Sequence, residues 1–163
     1  MTITAPESPV TPHDLQVFGE EVLTAFLLEQ GQPAAPQHDD APSRVRASIA
    51  VTGGWSGHVT LDVSRAGAGD LARRMLMADE VSDDDVVDAI GELVNVLGGN
   101  VKGLLLEESA LGLPEVSTDP SVQTGTPRAG TEVCHAELVW AGHPVDVRVW
   151  HDGQHHTTSG DPA

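Results

Sequence analysis

The stretch DAIGELVNVLGGN, residues 88–100, sets acids, an amide and two adjacent glycines at helical spacing. Asp88, Glu92, Asn95, Gly99 and Lys102 follow one another in steps of three and four, so a helix stacks them in one stripe. At 1.5 Å per residue that stripe is roughly 21 Å long, enough for another protein to lie along. A Glu carboxylate can pair with a cation. An Asn amide takes no proton near neutrality, but it can hold a water by hydrogen bonds and aim it. Asn95 and Asn100 are the chain's only asparagines, and both fall here. Asn is a mediocre helix former, and each interior Gly costs about 1 kcal/mol relative to Ala. Residues with a local cost call for a packing or functional reason. Gly98 is expected to serve close helix packing, and Gly99 to let a partner backbone approach. An ordinary solvated face is the plainer reading of the same pattern.

The helix that carries the stripe is expected from about Ser82 to Leu106. Ser82 suits an N-cap, and Asp85 three residues later completes an acidic capping box. Asp83, Asp84 and Asp85 suit the positive end of the helix dipole and point in different directions, so they do not form a metal site. Val86, Ile90, Leu93, Val94, Leu97, Val101 and Leu104 fall in one arc that faces the core.

The rest of the chain supplies a sheet. In RVRASIAV, Val45, Ala47, Ile49 and Val51 alternate with polar residues, and in HVTLDV so do Val59, Leu61 and Val63. TGGWSG between them is turn chemistry. A second hairpin is expected from TEVCHAELVW and PVDVRVWHD around Ala141–Gly142–His143. ALGLPEVS reads as a short strand, either ended by Pro114 or carried past it at an edge. AGAGDLARRMLMA reads as a short helix with Leu71, Met75 and Leu76 inward. An N-terminal helix is expected in TPHDLQVFGEEVLTAFLLEQ, with Leu15, Phe18, Val22, Phe26 and Leu27 at helical spacing. The order predicts an α+β fold: an antiparallel sheet with helices packed on one face. One domain spans 12–151, with a linker-like insert at 31–43; residues 1–11 and 152–163 are expected to be disordered.

Composition narrows the partners. The 163 residues carry a net charge of −17, which disfavours nucleic acid and anionic lipid surfaces. No apolar run is long enough for a bilayer and no secretory signal is visible, so a cytoplasmic protein is expected. The single cysteine, Cys134, lies in an alternating strand pattern and reads as a small buried hydrophobe. The eight histidines show no diagnostic metal spacing, and no metal or cofactor of the chain's own is expected, although His155 and His156 could bind metal adventitiously. GGNVKG lacks the ending of a P-loop. Ser56 in GWSGH lies in a hairpin turn and not between a strand and a helix, which excludes a nucleophile elbow.

The helix resembles the signature of the CheX and CheC phosphatases of bacterial chemotaxis: Asp or Ser, three residues, Glu, two residues, Asn. Here it is Asp88, Glu92 and Asn95, followed by Gly99–Asn100 and later by Leu113–Pro114. The upstream VTGGWSGHVTLDVS and ARRML also look like that family, and the similarity covers most of residues 44–151. A single Glu/Asn pair resembles single-site CheX more than two-copy CheC. The resemblance implies a CheX/CheC-like fold and a phosphatase acting on the phospho-aspartate of a CheY-like response regulator. It implies that Glu92 pairs with the receiver's active-site Lys, that Asn95 orients the attacking water, and that Asp88, Gly99 and Lys102 contact the partner. Mg²⁺ would belong to the receiver. Similar domains dimerise, so a homodimer is a further expectation. The alternative is an inactive CheX-like module that binds a receiver, or dimerises, without hydrolysis.

Overall fold

The computed structural model describes residues 9–26, 44–118 and 130–152. The expectations for residues 1–8, the insert at 31–43, Leu27 and residues 153–163 lie outside the described residues.

Among the described residues, three helices and six strands follow in chain order. They are α1 (Pro12–Phe26), β1 (Arg44–Gly53), β2 (Gly57–Ser64), α2 (Arg65–Leu76) and α3 (Asp83–Leu104). Then come β3 (Ser109–Leu111), β4 (Glu115–Ser117), β5 (Gly130–Trp140) and β6 (His143–Asp152). The strands form one antiparallel sheet in the order β3-β1-β2-β6-β5, and β4 also pairs with β1. The expected α+β architecture is therefore present, and Asp152, expected to be disordered, is the last residue of β6.

Period-two alternation sorts the sheet into two faces. Val45, Ala47, Ile49, Val51, Val59, Leu61, Val63, Val145, Val147 and Val149 are fully buried beneath the helices. Their alternates, among them Arg44, Arg46, Asp62, Asp146 and Arg148, point to the helix-free face and line an open cavity of about 950 Å³. α3 lies over β1 and β2, α1 over β5, and α2 packs against α3. Apolar burial on this scale, about 25 cal/mol per Å², is the main term holding helices to sheet.

Local chemistry sets the element ends. Asp14 and Thr11 cap α1 reciprocally: Thr11 N–H donates to Asp14 Oδ2 at 2.8 Å, and Asp14 N–H to Thr11 Oγ1 at 3.2 Å. Val10 just before it is 1% exposed and belongs to the core, so the expected fraying does not reach Val10 and Thr11. The β5–β6 turn places Ala141 and Gly142 at φ 52° and 80°. Two consecutive positive φ angles match the twist of a tight hairpin, at a steric cost for Ala141. ALGLPEVS is not one strand: Gly112–Leu113–Pro114 interrupts it, leaving β3 and β4 on the same edge of β1. Pro114 has no N–H to offer a ladder, which forces the break. Leu76, expected inward, is half-exposed, because α2 ends there and Met77 turns into the left-handed region at φ 50°.

α2 is tied to the second hairpin by a polar clamp. His143 Nε2 lies 2.8 Å from Asp70 Oδ2, and Arg73 bonds the other Asp70 oxygen. The hydrogen bond with His143, then that with Arg73, holds the Asp70 carboxyl below the usual carboxylate range. A depressed folded pKa contributes stability above the unfolded value, about 3.9, and loses it as pH falls through the folded value. Asp70 is two-fifths exposed, so screening limits the contribution to about 1 kcal/mol or less. Asp70→Asn is thus expected to lower stability at pH 6 and to lower it less at pH 3. Urea denaturation of both chains at the two pH values measures this, and an equal deficit at both would refute it.

Candidate functional site

α3 begins as the sequence requires. Ser82 Oγ accepts from Asp85 N–H at 3.2 Å, and Asp85 Oδ2 accepts from Ser82 N–H at 2.9 Å. This reciprocal cap fixes the start of the helix and therefore the direction of every later side chain. Ile90, Leu93, Val94, Leu97 and Val101 are fully buried, and Ala89, Gly91 and Gly98 join them. The expected arc is correct except at its ends: Val86 is half-buried, and Leu104 is 37% exposed. Leu104 is the last helical residue, where the chain leaves the sheet for Leu105 and the fully exposed Leu106.

Anchoring that arc turns the stripe outward. Asp88, Glu92 and Lys102 are exposed, and Asn95, Gly99 and Asn100 are half-buried. Among the described residues, Asp88, Glu92 and Asn95 make no side-chain hydrogen bond or ion pair. Their polar atoms are free to meet another molecule.

The two central glycines do different things. A Cβ on Gly98 would stand 2.7 Å from Ile49 Cγ2, so Gly98 lets α3 approach β1. The close contact is helix to strand rather than helix to helix. A Cβ on Gly99 would meet nothing within 4 Å. A Cβ on Gly91 would make ordinary van der Waals contact with Val116 and Pro114, at 3.6 and 3.7 Å, so the segment containing Leu113–Pro114 lies against α3. Leu113 itself is 87% exposed.

Elsewhere the chemistry is quiet. Cys134 is buried, and burial pushes its thiol up to about 11, which suits a packing residue and not a nucleophile. Ser56 stays in the β1–β2 connection. His135, Glu137 and Asp146 converge on the helix-free face, with ligand atoms within 4.8 Å of one another. The trio shows no helical metal spacing, and its residues lie on two strands. Counting outward from the turn at Ala141–Gly142 pairs Glu137 with Asp146 and would have found it. Among the described residues no helix is long and apolar enough to cross a membrane.

Comparison with known proteins gives this arrangement a context. No curated protein sequence matches the chain. Solved structures do. The CheX of Vibrio vulnificus is 16% identical with a TM-score of 0.68, covering 91% of this chain and 99% of its own. The CheX of Borrelia burgdorferi, in a complex with CheY, BeF3 and Mg²⁺, is 15% identical with a TM-score of 0.65, covering 86% and 97%. A CheC-like superfamily protein from Shewanella sp. PV-4 is 17% identical with a TM-score of 0.63, covering 86% and 96%. At such identities these likenesses establish the fold. The family model described as chemotaxis phosphatase CheX matches residues 45–135, from the first strand through α3 and into β5. With that match over more than half its length, the chain belongs to the CheX family of chemotaxis phosphatases.

Proposed function

We propose that this chain hydrolyses the phospho-aspartate of a CheY-like response regulator, in chemotaxis or a related two-component pathway. The observation that carries the reading is the stripe on α3. It offers Glu92 and Asn95 one turn apart, unengaged among the described residues, on a helix fixed by a capping box and a buried arc. The family match and the fold likeness to a CheX solved with CheY support it.

The chemistry asked of the chain is modest. An acyl phosphate is a mixed anhydride whose aspartate carboxylate is a good leaving group. Water attacks phosphorus, the P–O bond to the carboxylate breaks and frees the aspartate carboxylate, and inorganic phosphate leaves with the water's oxygen and its hydrogens, one of which can pass on to solvent. Asn95 holds that water in line by donating and accepting hydrogen bonds, and it needs no proton of its own. Glu92 pairs with a cationic side chain of the receiver and fixes the register of docking. Asp88 and Lys102 stand at the rim of the contact, and open Gly99 lets the receiver's backbone come close. Mg²⁺ is the receiver's. A phosphorylated receiver is a cytoplasmic substrate, so on this reading the protein works in the cytoplasm.

The test follows phosphate release from a phosphorylated receiver encoded near this gene. The chain is expected to accelerate release, and Glu92→Lys to reduce that effect at least tenfold at subsaturating receiver by reversing the docking charge. Failure to accelerate release from any such receiver would sink the proposal. Saturable binding without release, indifferent to Asn95, would identify a docking module instead.

A further inference from the structure

We propose that His135, Glu137 and Asp146 form a binding site for a divalent transition cation, of which Zn²⁺ is the natural probe. The site lies on the helix-free face of the sheet, on the side opposite α3, and it is independent of the phosphatase reading.

Its geometry comes from the β5–β6 register. His135 and Glu137 sit two apart on β5, so their side chains share a face. Asp146 on β6 pairs directly with Glu137, and Arg148 with His135. His135 Nε2 lies 3.0 Å from Asp146 Oδ1, and all three ligand atoms fall within 4.8 Å of one another. Tetrahedral zinc with bonds of about 2.0–2.1 Å holds its ligand atoms about 3.4 Å apart. Small side-chain rotations on this part-exposed face close the difference. The ion would take the place of the hydrogen between Nε2 and Oδ1; a neutral ring bound through Nε2 carries its one proton on Nδ1, so the displaced hydrogen moves to Nδ1 or is released to solvent.

The charges around the trio point the same way. Carboxylates directly opposite each other across a ladder destabilise it, and Glu137 and Asp146 are such a pair. The arginines of this face are engaged with carboxylates other than Glu137: Arg46 with Asp62, Arg44 with Asp62 and Asp146, and Arg148 with Glu132. Among the described residues Glu137 has no cationic partner. Arg44 reaches Asp146 through Oδ2, at 3.6 Å, which leaves Oδ1 toward His135 and steadies the ligand from behind. A divalent cation between Glu137 and Asp146 would relieve their repulsion. One imidazole with two carboxylates suits zinc and its neighbours in the first transition row better than Ca²⁺ or Mg²⁺, which favour all-oxygen sites. Three protein ligands leave a fourth position open to water or to a side chain of another molecule.

Calorimetric titration with ZnCl2 tests this in the full-length chain carrying His155→Ala and His156→Ala, which removes the tail imidazoles. One equivalent is expected to bind. His135→Ala and Glu137→Gln are each expected to weaken binding at least tenfold, with circular dichroism unchanged. Zn²⁺ should raise the melting temperature of the parent and leave that of His135→Ala unmoved. Binding that disappears with the tail histidines, or that survives both site substitutions at full strength, would overturn the proposal.

Discussion

Asn95→Ala is expected to slow receiver dephosphorylation about 100-fold while leaving the fold intact. One water-orienting amide can supply a factor of that size, because 100-fold corresponds to about 2.7 kcal/mol of barrier. The fold should not suffer. Asn95 lies on the outward stripe, its side chain has no partner among the described residues, and Ala is the better helix former. Asn95→Gln sharpens the test. It keeps the amide but moves it outward by one methylene, and misplacement of about 1 Å can cost a large factor in rate. Both variants should therefore be slow, fold normally and bind the receiver nearly as well as the parent. The measurement is single-turnover phosphate release at saturating chain, alongside melting temperature and receiver affinity. If Asn95→Ala turns over at the parental rate, the amide does not hold the water.

The outward stripe of α3 was legible because one pattern answered two questions. The spacing of Ile90, Leu93, Val94, Leu97 and Val101 defined the buried arc, and whatever lay opposite had to face out. Ser82 and Asp85 fixed the N-terminal boundary because a capping box is purely local chemistry. The C-terminal end was less clear: Leu104 continues the apolar period, yet it is 37% exposed where α3 ends. Leu76 failed for the same reason at the end of α2. Periodicity registers hydrophobicity and says nothing of where the facing surface ends. β3 and β4 were read as one element, since neither triplet has a period long enough to detect. The His135, Glu137 and Asp146 trio stayed hidden because its parts lie on two strands, and only the ladder register brings them together.

The adjacent glycines of α3 should separate packing from docking. Gly98→Val is expected to destabilise the fold by about 1–3 kcal/mol, as overpacking of a close-packed contact does. Its Cβ alone would meet Ile49 Cγ2 at 2.7 Å. That methyl sits on a β-branched carbon with little rotational freedom, and Ile49 is 1% exposed within the core. The strain can be released only by lifting α3 from β1. Gly99→Ala is expected to do the opposite. Its methyl meets nothing, and replacing an interior helical Gly by Ala should add up to about 1 kcal/mol of stability. If a receiver's backbone lies against Gly99, that same stabilised chain should bind it more weakly. Chemical denaturation and receiver titration on both variants resolve the two effects. A destabilised Gly99→Ala would mean that the helix is not open there. A stabilised Gly99→Ala with undiminished receiver affinity would place the docking surface elsewhere on α3, toward Asp88 and Glu92. The glycine beside it would still be explained, because Gly98 is required by the distance from helix to strand whatever the outer face binds.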